Sequence, residues 1–238
     1  VSFNKESSII LGFCLILGLS SFGYIIGDAA IRFKEYERTV TAKGLSEREF
    51  KANTVIWPIQ FSAASNDLEG LYKTIDTSTQ KIKSFLVIEG IDVAQISHTP
   101  PLITDKSAQQ YGSQAGAAFR YTASQTVTVY SKDIELVRGV MEKISDLGKY
   151  GIVFTGGNYQ SQTEYIFTRL NEVKPEMVEE ATRTAREVAE KFSSDSNSVL
   201  GKIKSASQGQ FSISSRDKNN PHIKKLRVVS TVTYYLSD

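Results

Sequence analysis

The sequence predicts an α+β fold, with antiparallel sheets that carry amphipathic helices on one face, in two related halves, behind a single apolar helix. Three observations carry this prediction. Apolar and polar residues alternate with period two in several segments, as in Val55, Trp57, Ile59, Phe61 and Ala63. Helical stripes such as Leu68, Leu71, Tyr72, Ile75, Ile82, Phe85 and Leu86 stand between those segments. Ahead of both, Ser7 to Gly27 runs without a charged residue.

At about 1.5 Å per residue the apolar run crosses a hydrocarbon core of roughly 30 Å. The expected organisation is a short tail over 1–6, a transmembrane helix over 7–31, a connector over 32–38 and one domain over 39–238. A signal-peptide core is usually about 7–15 residues, so the run reads as a retained anchor, although Gly27-Asp28-Ala29-Ala30 has the small residues of a cleavage site. Phe13 before Cys14 argues against lipidation, because that position in a lipoprotein signal needs a small residue. Lys5 precedes the run, whereas Arg32, Lys34, Arg38 and Lys43 follow it. Basic residues counted alone would place the following domain in the cytoplasm. Gly23 and Gly27 form a GxxxG pair, with Gly18 and Gly12 above it. Small residues let helix backbones approach in lipid, so Gly18, Gly23 and Gly27 are helix-packing candidates, although glycine is also common in spans generally.

The later elements follow in order. Thr39 to Gly44 is a short strand ended by glycine. Glu49 to Ala63 is a strand with one buried face, and Pro58, which has no N–H to donate, places it at an edge or a bulge. Asn66 followed by Glu69 marks a helix start, and Gly90 ends that helix. Ile91 to Thr99 is a strand kinked by Pro100 and Pro101, and 104–118, rich in Gln, Ser, Gly and Ala, is a loop or hairpin tip. Phe119 to Ser131 is a strand. A helix then starts at Asp133, with Ile134, Val137, Val140, Met141, Ile144 and Leu147 inward and Gly148 as its stop. A turn at Gly156-Gly157 leads to a strand from Tyr159 to Leu170. Pro175 opens a helix running through Phe192, with Val178, Ala181, Ala185, Val188, Ala189 and Phe192 inward. Its alanines predict close packing on whatever it covers, and Glu179, Arg183, Glu187 and Lys191 predict ion pairs along its outer face. Phe211 to Ser215 is a short strand, 217–221 a turn, and Leu226 to Leu236 the closing strand.

Composition and motifs speak against catalysis. The chain has 238 residues, 28 Lys and Arg against 26 Asp and Glu, and a net charge of +2 with no dense basic block, so nucleic acid is not expected as a partner. No zinc-protease, phosphate-loop, dinucleotide or nucleophile-elbow motif occurs, and the expectation is a protein that is not an enzyme. The only cysteine, Cys14, lies in the apolar run, which leaves no intrachain disulfide and no thiol nucleophile beyond it. His98 and His222 each neighbour a proline in a turn and read as turn-capping or surface histidines. Asp92, Asp105 and Asp133 are scattered, and Asp195-Ser-Asn-Ser lacks the ligands of a calcium loop, so no metal and no cofactor is expected. Trp57 and the tyrosines at 121, 130, 159, 165, 234 and 235 allow a stacking platform, but their place in strands reads more simply as cross-strand packing. Tyr234 and Tyr235 must face opposite sides of their sheet, so one of them points away from the helices.

The order of these segments resembles the SIMPL domain family. The resemblance rests on Val40 to Gly44 with Lys51 to Ile56, on Tyr121 to Val129 leading into Asp133, on the helix Glu180 to Ala189, and on Val228 to Tyr234. It covers about 39–236 and lies in pattern and order more than in signature residues. It implies a mixed sheet-and-helix domain located outside the cytoplasm, with no established enzymatic activity. For some members it implies large ring-shaped or barrel-shaped homo-oligomers and a stress-protective role. The long apolar run departs from the cleavable signal of many relatives. The expectation is therefore a single-pass protein of the inner membrane with its domain in the periplasm, whose partners are itself and the lipid bilayer. The interface candidates are Tyr111 and Gln114 in the hairpin tip and Tyr234 and Tyr235 in the closing strand. The alternatives are a ligand- or peptide-binding module acting as monomer or dimer, and a hydrolase with an unfamiliar site.

Overall fold

The computed structural model describes residues 5–36, 38–108, 118–155 and 162–237. Its elements are α1 (Lys5–Tyr36), β1 (Thr39–Lys51), β2 (Thr54–Ser65), α2 (Leu68–Ile88), β3 (Ile96–His98), β4 (Leu102–Asp105), β5 (Tyr121–Ser131), α3 (Ile134–Lys143), β6 (Val153–Phe154), β7 (Glu164–Ile166), α4 (Leu170–Asp195), β8 (Val199–Gln208), β9 (Ser212–Ser215) and β10 (Ile223–Ser237). The expected α+β class holds. One sheet has the order β1-β10-β8, with β9 also on β10, and the other has the order β3-β5-β2-β6, with β4 on β5 and β7 on β2. The chain divides into two compact units. One is built from 1–48, 173–212 and 226–238, the other from 49–172 and 213–225.

The unit from 49–172 and 213–225 follows the alternation closely. Val55, Trp57, Ile59 and Phe61 of β2 and Val127 and Val129 of β5 form the buried sheet face. Leu71, Ile75, Ile82 and Leu86 of α2 and Ile134, Val137 and Val140 of α3 complete the core. Each such side chain contributes about 1.5–3 kcal/mol by leaving water. Pro58 lies opposite Thr128 in a regular β2–β5 ladder. On its other side, among the described residues, β7 pairs with Thr54–Ile56 and β6 with Phe61 and Ser62.

Several expected boundaries shift, each for a local reason. The cap of α2 is Asp67, whose carboxylate accepts the Gly70 N–H at 2.7 Å. Asn66 instead accepts the Arg120 N–H at 2.8 Å. The expected strand over Ile91–Thr99 begins as a 3-10 turn over Val93–Gln95, capped by Asp92, and only Ile96–His98 pairs. Asp133 caps α3 by accepting from Leu136 N–H at 3.0 Å. The chain then tightens into a 3-10 turn over Ile144–Tyr150 that ends at Gly151, not at Gly148, because Gly151 takes the left-handed conformation at φ 81°. Among the described residues of the expected Tyr159–Leu170 strand, Glu164–Ile166 pair with β2, and Leu170 already belongs to α4. The Gly156-Gly157 turn, Tyr159 and the hairpin tip at 109–117 lie outside the described residues.

The unit from 1–48, 173–212 and 226–238 departs further from expectation. α1 continues to Tyr36, through most of the expected connector. β1 does not stop at Gly44 but runs on to Lys51. Pro175 sits inside α4 rather than at its start, in the second turn, where its ring removes one hydrogen bond to the Asn171 carbonyl. The buried stripe of α4 is Met177, Ala181, Ala185, Ala189 and Ser193. Steps of four from Ala181 reach Ser193, and Phe192 is therefore 55% exposed instead of inward. Ala185 and Ala189 pack on Ala42, Val232 and Tyr234, which joins α4 to β1 and β10. β8 has no counterpart among the expected elements. All its positions but Leu200 are exposed, so no buried face imposes an alternation on its sequence.

Candidate functional site

α1 holds the first group of candidates. Ile9–Ile31 is long and apolar enough to cross a membrane, and no part of that window is buried within the chain. A retained anchor and a signal sequence share that property. Gly12, Gly18, Gly23 and Gly27 all have open space where a Cβ would stand, so none of the described residues occupies the glycine face.

The interface candidates Tyr234 and Tyr235 face opposite sides of their sheet. Tyr234 is 2% exposed, on the α4 side of its sheet, and so serves its own core, contrary to its selection as an interface residue. Burial pushes its hydroxyl above the ordinary tyrosine range. Tyr235 points the other way, is 39% exposed, and carries the Lys204 ammonium 5.5 Å from its ring centroid. Tyr111 and Gln114 lie outside the described residues. The base of their hairpin is clamped, since Arg120 Nη2 and Nε donate to the Asp105 carboxylate at 2.9 and 3.2 Å. The Arg120 guanidinium, helped by Ser107, holds that carboxyl well below the usual range.

The two sheets end differently. The β3-β5-β2-β6 sheet is bounded by strands of two to four residues, β6, β7, β3 and β4. The other sheet is flanked by β1, with 13 residues, and β8, with 10, and among the described residues neither has a strand on its outer side. Two register shifts interrupt the β8–β10 ladder, and Lys202 and Lys204 stand exposed along β8. Both features restrict which strand can add to that edge.

Among the described glycines, Gly44 of β1 has the nearest neighbouring backbone. A Cβ on Gly44 would fall on the Ala181 carbonyl oxygen and the Ala185 amide nitrogen, so α4 rests backbone to backbone on β1 there. Just beyond, Glu180 Oε2 accepts from Ser46 Oγ, Arg48 Nε and Arg48 Nη2, each at 2.9 Å, while Arg48 Nη1 meets Glu176 at 2.7 Å. The Ser46 hydroxyl first, then Arg48, lowers the Glu180 carboxyl below its ordinary range. Sequence reading missed this cluster, because Ser46 and Arg48 lie 134 and 132 positions from Glu180. The close approach unites three separate segments, Val40–Gly44, the Glu180–Ala189 helix and Val228–Tyr234. A protein-family model described as SIMPL, a protein of unknown function (DUF541), matches residues 40–232. The chain belongs to the SIMPL family. No curated protein matches it. The SIMPL domain thus spans both compact units, and α1 precedes it.

The histidines fall on opposite terms. His98 ends β3 and is exposed. His222, read as a turn-capping or surface histidine, does lie in a turn but is only 8% exposed, because that turn folds back on Ala52, β7 and α3. Among the described residues no three of His, Cys, Asp and Glu cluster as metal ligands would.

Proposed function

We propose that this chain is a non-catalytic assembly protein, tethered to the membrane by α1, whose SIMPL domain lies outside the cytoplasm and joins further copies of itself in a closed ring or cage. The contrast between the sheet edges supports the reading most directly. Among the described residues, one sheet is flanked by strands of two to four residues, while the other has the longer strands β1 and β8 at its sides. A heterologous contact between two different edges closes into a ring when the rotation between copies allows it. Arg38 O accepts from Leu236 N–H and Thr41 meets Thr233, so β1 runs antiparallel to β10, as β8 does. β1 and β8 therefore run in the same direction, and a ring joint between them would be a parallel pair. A twofold dimer through either edge alone would be antiparallel.

The test is the mass of the detergent-extracted full-length protein, beside Gly23→Leu/Gly27→Leu. A large discrete oligomer in both supports assembly through the SIMPL domain. An oligomer lost in the double variant moves assembly to the helix, and a monomer in both defeats the reading. A monomer would favour a binding module instead. The feature that speaks for such a module is an open groove of about 460 Å³ lined by Val87, Ile88, Val93 and Ile96, with Gln80, Lys83 and Ser84 at its rim.

A further inference from the structure

The turn between β9 and β10 is held at both ends. Its first half is an Asx turn in which Asp217 Oδ1 accepts from the N–H groups of Asn219 and Asn220 at 2.9 and 2.8 Å. Its second half is held by His222, whose carbonyl accepts the Ala52 N–H at 2.8 Å, where β1 gives way to β2. The adjacent Asn53 is tied in turn to Ile166 and Thr168, so this corner gathers several segments.

We infer that His222 is an acid-operated latch: the neutral imidazole seats the 217–222 turn against Ala52 and α3, and protonation releases it. The surroundings favour the uncharged ring. Arg138 Nη1 of α3 lies 3.5 Å from Nε2, and the Tyr165 ring of β7 lies edge-on at 6.0 Å between centroids. An imidazole facing a guanidinium has to accept there, which only the neutral ring can do. The charged groups around it are Arg138 and Glu135 of α3, Lys51 at the end of β1, and Arg216 beside the turn. Glu135 is the single anion among them, and it is shared with Arg138 at 3.3 Å and Lys51 at 3.9 Å. Arg216 is engaged by Asp217 at 2.9 Å and Glu49 at 3.8 Å. A proton on His222 would add a buried cation beside Arg138 with no carboxylate of its own.

Burial first, then Arg138, holds the imidazole below the ordinary histidine value. Once the turn opens, the ring regains its ordinary value of about 6.5. The closed turn is thus fully favoured above about pH 6.5, and the advantage falls as pH drops from there towards the lowered value in the folded protein. Within that window each pH unit changes the closed-to-open ratio by up to about tenfold.

The test uses the full chain in detergent. Amide hydrogen exchange at Ala52, corrected for the intrinsic pH dependence of exchange, is followed from pH 7.5 to 5.0, alongside His222→Gln. Protection at Ala52 should fall more than twofold in the parent as pH drops below 6.5 and stay within twofold in the variant. No fall in the parent, or an equal fall in both, overturns the latch. A second measurement needs no change at His222. With His98→Gln only one imidazole remains, and its titration by NMR should have a midpoint below 6.5; a midpoint at or above that value also overturns the latch.

Discussion

At the scale of the residue, Gly44 sets how near α4 can come to β1. Any side chain there meets backbone atoms of α4, which cannot rotate away as a flexible side chain would. Gly44→Ala is therefore expected to lower unfolding stability by about 2–3 kcal/mol, as overpacking does. Thermal melts of the full chain in detergent would check this, and a change within about 0.5 kcal/mol would refute it. Asp217 carries a different expectation. Arg216, then Asn220, draws its carboxyl down to about 2. Its contribution to the turn is complete above the ordinary carboxylate value of about 3.9 and disappears as pH falls through about 2. The amides of Asn219 and Asn220 should stay protected at pH 4.5 and exchange freely in Asp217→Ala at the same pH. Equal exchange in the two proteins would count against the Asx turn. The two halves of one turn thus respond to acid in separate ranges.

At the scale of the element, α2 is fixed to its sheet by a buried polar relay as well as by its apolar stripe. Thr79 Oγ1 lies 2.7 Å from Gln125 Oε1, and Gln125 Nε2 donates to Thr99 O at 2.6 Å. Thr79→Val keeps the shape and strands the Gln125 carbonyl, at an expected cost of about 1–3 kcal/mol in denaturant unfolding. Thr79→Val/Gln125→Leu should cost less than the sum of the single changes, and strict additivity would contradict the relay. This relay also shows what the sequence hides. β2 and β5 were legible because Trp57, Ile59, Val127 and Val129 alternate, yet Gln125 lies on that same buried face and reads as a polar interruption. The apolar stripes of α2 and α3 were legible for the same reason. β8 was not, since neither of its faces is buried, and Gly44 was taken for a strand end because only the approach of α4, far along the chain, explains it. The candidate site divides in the same way. The glycines of α1 belong to a local motif visible in the sequence, whereas His222 owes its burial to Ala52, Arg138 and Tyr165, none of them its neighbour in the chain.

At the scale of the whole molecule, the proposed extracytoplasmic place of the SIMPL domain is open to direct measurement. In a Cys14→Ser background, Lys73→Cys places one thiol on the exposed face of α2. An extracytoplasmic domain predicts labelling by a membrane-impermeant maleimide in intact cells, and labelling only after lysis would place the domain in the cytoplasm. The middle position of β10 bears on synthesis as well. β1, β8 and β9 all precede β10 in the chain, yet each finds its partner only there. As the ribosome delivers the polypeptide, α1 is finished before β1 to β10 and can engage a bilayer while the sheet that follows still lacks its central strand. That sheet can close only once residues 223–237 have emerged, so a nascent chain crossing a membrane would arrive with this unit unfolded, a state compatible with threading through an export channel.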